Sequence, residues 1–157
     1  MKKILAFVLL VVLCFSMVAC ESNRYTKIGT SDFSIILPEG YAETEDDFEE
    51  DQIAYYFKNV DSIDFDVYQW DKEGKYTLKE EAEYFAAEYG ASPEEIEING
   101  IGGMKYISKE VFEGNEYTVV NYMFEDEESI IELCFWTIDT EEEYMAVDEI
   151  INTIKKN

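Results

Sequence analysis

The side chains that could do chemistry in this chain are defined first by one that is missing. There is no histidine, which removes Ser-His-Asp and Cys-His catalysis, imidazole zinc sites and the usual general base near neutral pH. Carboxylates are abundant instead: 36 Asp and Glu stand against 12 Lys and Arg, a net charge of −24. The densest block spans 43–51, where Glu45, Asp46, Asp47, Glu49, Glu50 and Asp51 could gather calcium, which takes six to eight oxygens. Their spacing matches no EF-hand loop and lacks its central glycine, and a block of like charges ordinarily stays solvated, so no shaped metal site and no cofactor is expected. A second group, Asp64, Asp66, Tyr68 and Trp70, places acids and aromatics along one strand, a candidate surface for a sugar, a peptide or a cationic partner. The competing fate of Tyr68 and Trp70 is burial beneath a helix, the more frequent one for large aromatics. Two carboxylates alone could hydrolyse a glycosidic bond, but nothing marks such a pair among the 36 acids. With no nucleotide loop, GxSxG turn or Cys/His cluster, the expectation is a protein that is not an enzyme.

The three cysteines divide by position. Cys134 lies in Ile130-Ile131-Glu132-Leu133-Cys134-Phe135-Trp136 and reads as a small core residue. Cys14 and Cys20 belong to the opening of the chain. There Lys2 and Lys3 precede an apolar run from Ile4 to Val18 broken only by Ser16, and Ala19 stands directly before Cys20. A run of about 15 residues is short for a membrane span, which needs roughly 20, and suits a signal peptide core. Met17-Val18-Ala19-Cys20 resembles the bacterial lipobox, with Met17 where leucine is usual. The resemblance implies cleavage before Cys20 and a diacylglyceryl group on its sulfur, two acyl chains being enough for stable anchoring. Residues 1–19 are then a lipoprotein signal peptide, 20–31 a lipidated cysteine with a polar tether, and 32–157 a single domain outside the cytoplasm, held to the membrane through Cys20.

Cleavage would take Lys2 and Lys3 and no acids, moving the charge from −24 to −26. That balance excludes nucleic acid as a partner, since affinity there comes from clustered cations, and it would repel anionic lipid headgroups. Acidic chains with few aromatics stay unfolded, but hydrophobic residues are 47% and aromatic residues 15% of this one, enough for a core.

The elements follow from periodicity and turn residues. A strand is predicted over 33–37, stopped by Pro38-Glu39-Gly40, and then a loop or weak helical turn over the acidic 43–51. Strands over 52–60 and 63–70 follow, the second alternating Ile63, Phe65 and Val67 with acids and Tyr68. Thr77 and Glu80 have capping-box spacing, and Leu78, Ala82, Phe85, Ala86 and Tyr89 form one helical face stopped by Gly90. Strands over 94–98, 104–112, 117–124 and 129–138 make an antiparallel meander, the first hairpin turning at Asn99-Gly100. The last strand is apolar on both faces, Ile131, Leu133 and Phe135 against Ile130, Cys134 and Trp136, and needs cover on both. Thr140 and Glu143 cap a second helix bearing Tyr144, Val147, Ile150, Ile151 and Ile154, with Lys155 and Lys156 expected at its dipole-negative end.

The Phe-Ser-Ile-Ile-Leu-Pro-Glu-Gly-Tyr opening, the Thr-Leu-Lys-Glu helix, the Ile-Asn-Gly-Ile-Gly-Gly hairpin and the closing Ile-Ile-Asn-Thr-Ile-Lys resemble PsbP-like and DcrB-like domains over 32–157. The resemblance implies an α+β fold, an antiparallel sheet of about six strands flanked by helices in an α/β/α sandwich. It also implies an accessory or binding role with no shared catalytic motif. The combined expectation is a lipid-anchored extracytoplasmic protein of the bacterial cell envelope that binds an envelope protein partner, with calcium or small-ligand binding by carboxylates as the alternative.

Overall fold

The computed structural model describes residues 25–49, 52–58, 63–72, 74, 76–112, 114–137 and 140–157; the apolar leader and Cys20 lie outside the described residues. The elements are β1 (Tyr25–Lys27), β2 (Phe33–Ile36), β3 (Ala42–Glu49), β4 (Gln52–Lys58), β5 (Phe65–Asp71), α1 (Leu78–Glu88), β6 (Glu94–Ile98), β7 (Ile101–Phe112), β8 (Asn115–Glu125), β9 (Ser129–Thr137), α2 (Glu141–Ile151) and β10 (Lys155–Lys156). They form a seven-stranded sheet in the order β3-β4-β5-β9-β8-β7-β6 and a three-stranded sheet in the order β1-β2-β10. Every described pairing is antiparallel.

The alternation read along β9 splits the core in two. Ile131, Leu133 and Phe135 join Phe65, Val67, Val120, Tyr122 and Phe124 on one face, where Val147 and Ile150 of α2 and Phe33 and Ile35 of β2 cover them. Phe65 stacks between Phe57 and Phe135, at 4.6 and 4.8 Å between ring centres. On the other face Ile130 meets Met104, Tyr106 and Met123 under Ala82 and Ala86 of α1. Each fully buried side chain of this size contributes about 1.5–3 kcal/mol. The architecture is thus an α+β sandwich with one helix on each side of the large sheet, and β3 brings that sheet from about six strands to seven.

Local signals act as their chemistry requires. Both capping boxes form, Thr77 with Glu80 and Thr140 with Glu143. Asn99 and Gly100 take φ of 55° and 79°, the left-handed pair that a two-residue hairpin between β6 and β7 needs. Gly103 is required for space: a Cβ there would stand 2.7 Å from the Met123 carbonyl oxygen and from the Phe124 ring.

Three expectations are corrected. The acidic stretch is neither loop nor helical turn but strand β3, paired with β4 from Ala42↔Lys58 to Glu49↔Gln52. It is the edge strand of the seven-stranded sheet, where charge in the sequence discourages pairing with a second chain. The tether does not extend to Ser31: Tyr25–Lys27 pairs with β2, and Ile28, fully buried, enters the core. The Ile28 amide donates to Phe33 O at 2.9 Å, and its carbonyl accepts the Ser31 amide at 3.2 Å. Lys155 and Lys156 do not close the second helix. That helix ends at Asn152, the Thr153 hydroxyl accepts the Ile36 amide at 2.8 Å, and the two lysines pair with β2 opposite Ser34 and Phe33.

Candidate functional site

On the α1 face of the large sheet, beside the apolar cluster under the helix, lies a group of buried polar side chains. Register places Tyr106, Asn121, Cys134 and Asp66 in one row across β7, β8, β9 and β5, with Met104, Met123, Glu132 and Tyr68 in the next. Tyr106 reaches across β8, and its hydroxyl donates to Glu132 Oε1 at 2.5 Å. Asn121 Nδ2 donates to Ser108 Oγ at 3.1 Å, and that hydroxyl donates to Glu110 Oε1 at 2.9 Å. Trp136 Nε1 donates to Asp66 Oδ2 at 2.8 Å.

Burial sets the electrostatics of this group. Glu132 is 6% exposed, and loss of water pushes its carboxyl up to about 7, with the Tyr106 hydroxyl pulling the other way and the Glu110 charge adding to the rise. Burial also raises Glu110, against the Ser108 hydrogen bond. It raises Tyr106 together with the neighbouring Glu132 charge. The buried Cys134 thiol is pushed well up by desolvation and then by Glu132, Asp66 and Glu110, which disfavours the thiolate. Tyr89, at the end of α1, is raised by burial and by Glu110. Acids thus surround one another here: burial and the Glu110 charge favour the protonated form of Glu132, while the Tyr106 hydroxyl favours the ionised one.

Such a carboxyl has the pKa of a general acid. A substrate would have to displace Tyr106 to reach it.

The strip proposed from sequence is divided among other partners. Trp70 packs its edge on Phe85 of α1, 5.4 Å between centres, and Asp66 is taken by Trp136. Tyr68 is half-buried beside Glu132, while Asp64 stays exposed just before β5. Reading by spacing missed Glu132, although a signal was present: it is the one charged residue in the run 130–136, at a strand position facing a helix. Among the described residues no three carboxylates or cysteines converge to hold a metal ion; the side chains of Glu45, Asp46, Asp47, Glu49, Glu50 and Asp51 lie outside the described residues.

No protein-family model matches the chain, and no curated protein matches it. Solved structures do. The solution structure of cyanobacterial PsbP (CyanoP) from Synechocystis superposes with a TM-score of 0.61 at 11% identity, over 85% of this chain and 91% of that one. A crystal structure from Bacteroides thetaiotaomicron superposes with a TM-score of 0.57 at 17% identity over 85% of this chain. This chain spans about half, 49%, of the length of the Bacteroides protein. The fold is therefore PsbP-like.

Proposed function

We propose that this chain is a lipid-anchored, extracytoplasmic, non-catalytic accessory domain of the bacterial cell envelope, tethered through a diacylated Cys20 and acting by binding an envelope protein. The likeness to cyanobacterial PsbP over most of both chains supports an accessory role, and the lipobox-like residues before Cys20 support the address. The observation that carries the binding reading is where aromatic side chains are left in water. Tyr76, Tyr84 and Tyr89, just before, within and just after α1, are 60%, 65% and 45% exposed, whereas the large rings of Phe33, Phe57, Phe65, Phe124 and Phe135 fill the core. Tyrosine is the side chain that interfaces favour, pairing apolar area with a hydrogen-bonding tip. The charge of −24 points to a partner with a complementary basic face.

The test is crosslinking in the native cells with Cys20 intact, followed by mass spectrometry of the captured proteins and of the N-terminal peptide. Recurrent capture of one envelope protein, weakened in Tyr76→Ala/Tyr84→Ala, is the expected result. An unmodified Cys20 would overturn the address, and capture that ignores both tyrosines would overturn the role of α1.

A further inference from the structure

The small sheet gathers cations on an otherwise acidic protein. Lys27, Ser34 and Lys155 lie in one row across β1, β2 and β10. By strand alternation Tyr25 and Ile36 share their face, which points away from the core that Phe33 and Ile35 enter. Lys155 reaches over the Tyr25 ring at 3.7 Å; Lys156, paired with Phe33, alternates to the opposite face, 5.9 Å over the Phe33 ring. None of these three lysines has an acidic partner within 4 Å among the described residues, whereas Lys72 and Lys79 are paired with Glu125 and Glu95. The acids of this segment, Asp32 and Glu39, fall in the turns at either end of β2. Arg24 directly precedes Tyr25 in sequence. Four of the 10 basic residues left after Lys2 and Lys3 therefore belong to or directly adjoin the smaller sheet, in a chain of 36 acids.

The chain between the proposed lipid site and this sheet is short. Cys20 is five residues from Tyr25, at most about 18 Å of extended chain. We infer that the outer face of the small sheet, Tyr25, Lys27 and Lys155, docks on the anionic phospholipid headgroups of the bilayer that holds the Cys20 anchor. The inference rests on the anchored reading above and adds an orientation to it. Lysines adjoining an anionic leaflet are attracted within about one Debye length, roughly 8–10 Å, and a tyrosine ring with its polar tip suits the headgroup layer. The repulsion that the whole-chain charge predicts then acts on the rest of the domain, turning the helix α1, on the opposite face of the large sheet, toward solvent. An anchored domain that would otherwise tumble about its tether gains one preferred face-down pose.

Amine footprinting of the full lipidated protein reconstituted in vesicles tests this. The vesicles are phosphatidylcholine alone or phosphatidylcholine mixed with phosphatidylglycerol. Acylation of Lys27 and Lys155 should slow about fivefold in the anionic vesicles, with Lys79 and Lys105 unchanged, and the protection should fade at high salt. In Lys27→Glu, with an unaltered melting temperature, protection of Lys155 should be lost. Equal rates in both vesicles with a diacylated N-terminal peptide would overturn the docking face alone. An N-terminal peptide without lipid would overturn the anchor and the docking face together.

Discussion

Replacing Glu132 by glutamine should turn a pH-dependent protein into a less dependent one, by an amount the burial of this carboxyl fixes. In the folded state Glu132 titrates near 7 rather than at the ordinary 4.5. The folded protein therefore holds a proton that the unfolded chain has released, and stability falls as pH rises from about 4.5 through about 7. Below 4.5 both states are protonated and nothing is lost. At 1.36 kcal/mol per pH decade the loss is about 3 kcal/mol by pH 8. The amide of the E132Q variant would keep an oxygen for the Tyr106 hydroxyl and carry no charge at any pH. The assay is urea unfolding followed by tryptophan fluorescence for the native chain and E132Q, from pH 4.5 to 8. Taking the difference between the two proteins cancels the titration of the remaining surface acids. The expected result is near-equality at pH 4.5 and an advantage for E132Q of about 3 kcal/mol at pH 8, roughly 1–2 M urea in midpoint. A difference that does not change with pH would refute a buried, proton-holding Glu132.

The same pair predicts that Tyr106→Phe costs about 1.5–3 kcal/mol at pH 8, where the hydroxyl serves a carboxylate, and less at pH 5; urea midpoints at the two values check it. Gly103→Ala should destabilise by about 1–3 kcal/mol, because a Cβ 2.7 Å from the Met123 carbonyl and the Phe124 ring meets backbone that cannot yield; thermal unfolding reads it directly. Asp126→Ala should cost about 2–3 kcal/mol in urea unfolding at pH 7, since its carboxylate accepts the amides of Asp32, Glu128 and Ser129 at 3.0, 2.9 and 2.6 Å. Those bonds hold Asp126 below the usual carboxylate range, against the opposing pull of burial. Its contribution is therefore present above about pH 4 and lost as the pH falls through its lowered folded value.

What could be read ahead of the structure was what local chemistry decides. Capping boxes, a glycine stop, the Asn99-Gly100 hairpin and the two-sided strand around Leu133 each depend on a few neighbouring residues, and each fixed an element to within a few positions. β3 escaped because seven acids in nine residues argue against any regular structure, while the pairing that overrides them is supplied by β4, which local patterning does not weigh. β1 and β10 escaped for a similar reason. Two- and three-residue strands carry no period, and their partner β2 lies far along the chain from β10. The candidate site was half legible: Asp66 and Trp70 were singled out, but which groups would take their polar and aromatic edges depended on Trp136 and Phe85. Glu132 was marked by its misfit in an apolar run, a sign more reliable than the abundance of acids elsewhere.

The closing sheet also carries a statement about when this protein can finish folding. Ser34 Oγ and Asn157 exchange hydrogen bonds at 2.8 and 3.0 Å across 123 residues, and the Asn157 amide donates to Asp32 O at 2.8 Å. Contacts of such separation are made last, after loop-closure entropy has been overcome by the meander between them. β2 thus keeps one flank unpaired until β10 reaches it, so closure of the small sheet follows the meander in the order of folding.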